Sequence, residues 1–238
     1  LIVVMCFNRF TMDIKQYLTD WSASYRSDLV NNILPFWLEH GLDRKFGGVY
    51  TCVDRDGTLM DSTKSVWFQG RFGFITAFAY NNIERRAEWL EASKSCIDFI
   101  IDHCCDENGR MYFEVTADGT PLRMRRYLFS ECFAAIAMSE YSIASGDKSY
   151  AERALDLFRL ILRYKNTPGL LEPKYLPALA CQGHSLTMIL INTASRLRAA
   201  QDDPMLKAQI DESLDALQKY FIPNLKLFWK QSDRRVNS

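Results

Sequence analysis

Apolar residues recur at helical spacing from residue 14 to about residue 38. Tyr17, Leu18, Trp21, Tyr25, Leu29, Ile33, Phe36 and Trp37 fall on one stripe, which predicts an amphipathic helix with Pro35 as a kink. The period then changes. Phe46 to Val53 alternates as a strand does, and Asp54-Arg55-Asp56-Gly57 supplies hairpin-turn residues before Leu59 and Met60. Ser62 is placed to cap a second helix carrying Trp67, Arg71, Phe74, Phe78 and Tyr80, and a third covers about 86–104. Asn108-Gly109 closes that pair. A second strand-like stretch, Met111 to Val115, leads to a second turn at Asp118-Gly119, and four more helices are predicted at about 128–144, 148–164, 182–200 and 205–221. Pro168, Pro173 and Pro177 punctuate the loop before the last pair.

The two hairpins are one element repeated. Tyr50 to Tyr112 is 62 residues, and Asp56-Gly57 to Asp118-Gly119 is again 62. A period holding two helices and a short hairpin predicts an array of αα-hairpins. Such hairpins close into a ring when enough of them stack, and six units of this length need about 372 residues. The 238 residues here supply fewer than four, so the expectation is an incomplete ring or a fragment. Residues 1–11 lie outside the patterns and read as an extension, 12–226 as a partial toroid domain, and 227–238 as an irregular polar tail.

Composition narrows the partners. With 48% hydrophobic and 13% aromatic residues the chain can bury a large core, and 29 basic against 29 acidic side chains leave no net charge to favour nucleic acid or an anionic membrane. The apolar start, Leu1 to Met5, is too short for a membrane span of about 20 residues. Seven cysteines in no regular framework, with no CxxC pair and no visible metal site, read as reduced thiols of a cytoplasmic protein.

Candidate chemistry centres on Ser65-Val66-Trp67-Phe68-Gln69-Gly70-Arg71. Trp67 and Arg71 stand one helical turn apart, so an indole plane and a fixed cation share a face. That pair suits a sugar, whose C–H faces stack on aromatic rings and whose oxygens accept from a guanidinium.

Four stretches in succession carry a resemblance: Phe36-Trp37-Leu38-Glu39-His40; Gly47-Gly48-Val49-Tyr50-Thr51-Cys52 with Arg55-Asp56-Gly57; Val66 to Arg71; and Arg126-Tyr127-Leu128-Phe129-Ser130-Glu131-Cys132-Phe133 with Ala137-Met138-Ser139-Glu140. Over about 12–221 the chain resembles the N-acylglucosamine 2-epimerase family, most closely its renin-binding-protein-like branch. The resemblance implies an (α/α)6 toroid and a cytoplasmic sugar isomerase or epimerase. It implies N-acetylglucosamine, N-acetylmannosamine or a related aldose as substrate, with C2 deprotonated and reprotonated on the opposite face. No cofactor is required; ATP is implied only as an effector, and a homodimer is compatible.

By the same resemblance Arg71 stabilises the enolate. The family's two catalytic histidines, one in Gly-His-x-x-Glu, have no counterpart among His40, His103 and His184, which implies a weak or inactive chain. His184 opens the third inner helix and is the histidine expected at the cavity. Trp67, Glu131, Tyr50, Tyr112 and Arg126 are the expected substrate contacts, with Arg125, Cys52 and Glu114 nearby in sequence. For Glu131, a sugar hydroxyl, Arg71 and a structural ion pair are all open partners. His40 reads as a helix cap, and His103 has no partner legible in the sequence. Two rival functions remain: an (α/α)6 glycoside hydrolase, for which no acidic pair stands in a motif, and a non-catalytic partner-binding toroid.

Overall fold

The computed structural model describes residues 13–125, 127–172, 181–222, 227–228 and 231–233. The extension expected at 1–11 and the candidate Arg126 lie outside these residues.

The first helical run is longer than its stripe predicts. Asp13 caps α1 (Ile14–Asp28) by accepting from the Lys15 N–H at 3.0 Å. A π turn (Leu29–Ile33), α2 (Leu34–Phe36) and a second π turn (Trp37–Gly41) continue it. Pro35 sits in α2, between the two π turns; its missing N–H and its ring account for the widened ladder there.

Behind this run the described residues form three helix pairs. α3 (Val66–Asn82) packs on α4 (Ala87–His103), α5 (Phe129–Ser145) on α6 (Ser149–Asn166), and α7 (Ser185–Ala200) on α8 (Pro204–Gln218). The odd-numbered helices form an inner row, α3 against α5 and α5 against α7. Burial follows from that placement. α6, on the outside, buries one stripe, Ala151, Ala154, Leu155, Phe158 and Ile161, whereas α5, flanked by neighbours, buries 12 of its 17 residues. This row of paired helices is an arc of an (α/α)6 toroid, as expected.

Short strands join the pairs. β1 (Cys52–Val53) and β2 (Leu59–Asp61) form the first hairpin; β4 (Glu114–Val115) and β5 (Pro121–Arg123) form the second. β3 (Lys64–Ser65) pairs with β4, which ties the two repeats together. The helix expected from Ser62 therefore starts at Val66, because the backbone of Lys64 and Ser65 is committed to Val115 and Glu114. Most of the 46–53 stretch expected as strand is loop, with Gly47 and Gly48 at positive φ. The expected start of the third inner helix at 182 is also corrected: β6 (Cys181–Gly183) pairs with β9 (Gln231–Asp233), and β7 (Phe221–Ile222) pairs with β8 (Leu227–Phe228). The segment expected as irregular tail thus contributes paired strands.

The core is continuous from α3 to α8 through Val66, Ile97, Ile100, Cys132, Ala137, Phe158, Leu190 and Leu206. A second cluster joins Val30 and Leu34 to Ala79 and Trp89. The front half of α1 stays outside both. Tyr17, Leu18, Trp21 and Tyr25, expected on the apolar stripe, are all exposed, as is Ile14, since no described helix packs on that side.

Candidate active site

Each residue of the Trp67–Arg71 segment has a placed neighbour. Gln69, fully buried, accepts from the Val49 N–H through Oε1 at 2.8 Å and donates to the Val49 carbonyl through Nε2 at 2.6 Å. A side-chain amide thus takes the place of a strand partner and holds the 48–50 loop on α3. Gly70 meets α5 so closely that a Cβ there would lie 2.7 Å from the Phe133 carbonyl carbon. Trp67 meets Phe113 and Phe129, each at 5.3 Å between centroids, and Phe133 at 6.0 Å.

Arg71 lies on the exposed side of α3, its guanidinium carbon 4.2 Å from the Phe133 centroid and 5.6 Å from that of Trp67. Among the described residues it makes no hydrogen bond or ion pair. It borders a cavity of about 270 Å³ walled by Trp37, Val49, Tyr50, Phe68 and Phe72. Tyr50, half-buried there, has its phenol pKa raised by burial and by the Asp43 carboxylate beside it. An uncompensated cation next to aromatic planes can meet negative charge on a bound molecule.

The loop carrying Tyr50 is pinned from below. Lys64 Nζ, fully buried, donates to Asp43 Oδ2, to the Gly47 carbonyl and to the Ala117 carbonyl, each at 2.7 Å. It stands 4.1 Å from the Phe99 centroid. One ammonium thus links the first loop to the turn of the second hairpin. Neither Gln69 nor Lys64 was indicated by periodicity; for Gln69 the signal available was a polar residue following Val66, Trp67 and Phe68, whereas Lys64 stands in the polar run Asp61 to Ser65 and gives no such signal.

The remaining candidates separate. Tyr50 joins Arg71 at the cavity, whereas Tyr112 is half-buried and packs against the core. Glu131 is corrected: it is fully buried, and its Oε1 accepts from Arg110 Nε at 2.6 Å and from the Met111 N–H at 3.0 Å. Of the partners left open, the ion pair is the one formed, with Arg110 and not with Arg71. Burial pushes the Glu131 carboxyl upward, with Arg110 acting against it. Arg110 also donates through Nη2 to the Arg125 and Tyr127 carbonyls at 3.0 and 3.3 Å, fixing the strap before α5.

His184 stands at the N-cap position of α7 without a side-chain cap bond, its ring 5.1 Å from that of Tyr220, with Nδ1 buried and without a hydrogen-bond partner among the described residues. α5 packs on both α3 and α7, so His184 and the Trp67–Arg71 pair belong to different inner helices of the row. His40 and His103 are equivalent residues of the repeat. Each closes a helical run, stacks on an aromatic ring (Phe36 at 5.0 Å, Phe99 at 5.1 Å) and covers a turn glycine, Gly57 or Gly119. Cys52, Cys96, Cys104, Cys105 and Cys132 are free thiols. Among the described residues no group of three His, Cys, Asp or Glu could hold a metal ion.

An arc of αα-hairpins, whose inner row carries an aromatic platform and an arginine unpaired among the described residues, defines a protein of the (α/α)6 toroid class. The profile of the family described as N-acylglucosamine 2-epimerase (GlcNAc 2-epimerase) matches residues 48–228, and the chain belongs to that family. It is 30% identical over 197 residues to the N-acylglucosamine 2-epimerase of Rattus norvegicus, covering 80% of this chain and 46% of the rat protein. It is likewise 30% identical over 195 residues to that of Homo sapiens, covering 79% of this chain and 45% of the human protein. The chain thus spans about half the length of the curated relatives it matches. In fold it is similar to a sugar epimerase from a ruminal bacterium, with a TM-score of 0.75 and 23% identity over 87% of this chain and 58% of the other.

Proposed function

We propose that this chain forms the sugar-holding part of a carbohydrate 2-epimerase acting on an N-acylated amino sugar or a related free aldose. The observation that carries this reading is the Arg71 guanidinium, unpaired among the described residues and set between Trp67 and Phe133 at a cavity edge. A pyranose or opened aldose lays a C–H face on Trp67, and Arg71 opposes the negative charge that grows on oxygen as the proton leaves C2. Tyr50 lines the same cavity with its ring, its hydroxyl being turned to the Asp43 carboxylate.

Proton transfer is the part least supplied here. His40 and His103 are bound into hairpin turns, which leaves His184, whose Nδ1 has no partner among the described residues, as the histidine proposed for that step. Turnover by these 238 residues alone is accordingly expected to be weak. The chemistry asks for no redox cofactor, and a nucleotide such as ATP would act as an effector. The free thiols support a reducing, cytoplasmic setting, and no helix among the described residues is long and apolar enough to cross a membrane.

The test uses N-acetylglucosamine in deuterium oxide. Tryptophan fluorescence is expected to respond to the sugar, with the response lost in Arg71→Ala, and proton NMR should show slow loss of the C2 hydrogen. Absence of a fluorescence response to N-acetylglucosamine, mannose and cellobiose alike would overturn the reading.

A further inference from the structure

Three arginines share the aromatic platform. The Arg125 guanidinium carbon lies 4.6 Å from the Phe113 centroid and that of Arg123 lies 6.0 Å from it. Phe113 stands edge-on to Trp67 at 5.3 Å, and Arg71 is 5.6 Å from that same indole. Among the described residues none of the three guanidinium groups has an ion pair or a hydrogen bond. Glu114 faces Arg123 across the strand pair and makes no ion pair with it.

A guanidinium with no ion pair attracts an anion brought near it, and two such groups on one aromatic ring attract it together. The surface is also prepared in advance. Arg110, locked by Glu131, holds the carbonyls of Arg125 and Tyr127, so the backbone carrying Arg125 is fixed before any ligand arrives. Two guanidinium forks on the hairpin suit the planar, multi-oxygen acceptors of a phosphate or carboxylate.

We propose that the ligand is an aldose bearing an anionic substituent such as a phosphate ester, held by Arg123 and Arg125 while Trp67 and Arg71 face the sugar ring. The proposal rests on the sugar reading of the Trp67–Arg71 site and adds a substrate class to it.

The experiment titrates the full chain, by tryptophan fluorescence and calorimetry, with N-acetylglucosamine, N-acetylglucosamine 6-phosphate and inorganic phosphate. The phosphorylated sugar is expected to bind at least about tenfold more tightly than the neutral one, the size of one charge-assisted contact. That ratio should fall towards one in Arg123→Gln/Arg125→Gln, and partly recover in Arg123→Lys/Arg125→Lys, which keeps the charge and loses the fork. Thermal melts of both variants establish that they are folded. Equal affinity for the two sugars would overturn the anionic preference and leave the sugar reading standing. Inorganic phosphate binding as tightly as the sugar phosphate would overturn it too, as a site for a free anion. Binding of neither sugar would overturn both readings.

Discussion

Gln69 exchanges two hydrogen bonds with the backbone of Val49, at 2.8 and 2.6 Å, so an inner-helix side chain completes the edge of a loop twenty residues away. The neighbouring Tyr50 reaches the Arg71 cavity because of that pairing. Gln69→Leu keeps the bulk and removes both partners, stranding a buried N–H and a buried carbonyl at about 1–3 kcal/mol each. Urea unfolding of the variant should show a midpoint lowered to match. The Tyr50 wall should loosen with it, which a weaker fluorescence response to N-acetylglucosamine would report.

Two glycines one turn apart on α3 should answer oppositely to the same substitution. At Gly70 a new Cβ would meet the α5 backbone at 2.7 to 2.9 Å, and backbone cannot swing aside. At Gly73 the nearest atoms, Cys96 Cβ and Ala137 Cβ, stand at 3.4 and 3.5 Å, close to ordinary contact. Gly70→Ala is expected to cost about 1–3 kcal/mol by overpacking, whereas Gly73→Ala should be neutral or stabilise by up to about 1 kcal/mol through helix propensity. Paired denaturation curves decide this; equal effects would show that α3 and α5 are not in such close approach.

The helix pairs were legible because an outer helix writes its packing into its own spacing, as Ala151, Ala154, Leu155, Phe158 and Ile161 do. What the sequence hid were pairings between distant segments. The start of α3 shifts from Ser62 to Val66 because Lys64 and Ser65 pair with a strand some 50 residues on, which no local pattern encodes. Glu131 follows the same logic: its partner Arg110 is 21 residues upstream, and the buried pair became visible only when the second hairpin folded back. The four-residue spacing of Phe36 and His40 is repeated by Phe99 and His103, with a turn glycine 17 residues on in the first case (Gly57) and 16 in the second (Gly119), yet the packing of each histidine on its turn appears only in three dimensions. Trp67 and Arg71 were legible together because one helical turn brings them to one face, as the structure finds.

Asp43 predicts the acid limb of stability. Burial acts to raise its pKa, but the bond from Lys64 and the N–H groups of Lys45 and Phe46 outweigh it and hold the carboxyl below its ordinary value. A carboxylate with a lowered folded pKa contributes stability that is complete above its unfolded value of about 4 and is lost as pH falls through the folded one. The urea midpoint of the native chain should therefore drop below pH of about 4 more steeply than that of Asp43→Asn. Near neutral pH Asp43→Asn should be the less stable by about 3–5 kcal/mol, since it leaves the buried Lys64 ammonium without its anion. A variant as stable as the native chain at neutral pH would show that the ammonium does not depend on Asp43.

Arg71 and Arg110 both lie against aromatic rings, Arg71 4.2 Å from Phe133 and Arg110 5.0 Å from Tyr164, but their removal should separate binding from folding. Arg110 is buried and paired at 2.6 Å with Glu131, whose second oxygen already lacks a partner. Arg110→Ala leaves that carboxylate alone in the core and frees the Arg125 and Tyr127 carbonyls, so a loss of about 3–5 kcal/mol is expected. Arg71→Ala gives up only an exposed cation–ring contact, of about 0.5–1 kcal/mol. Melting and urea curves of Arg71→Ala should therefore lie close to those of the native chain while its fluorescence response to N-acetylglucosamine disappears. If Arg71→Ala unfolded as readily as Arg110→Ala, Arg71 would be part of the framework, and its assignment to a ligand would fall.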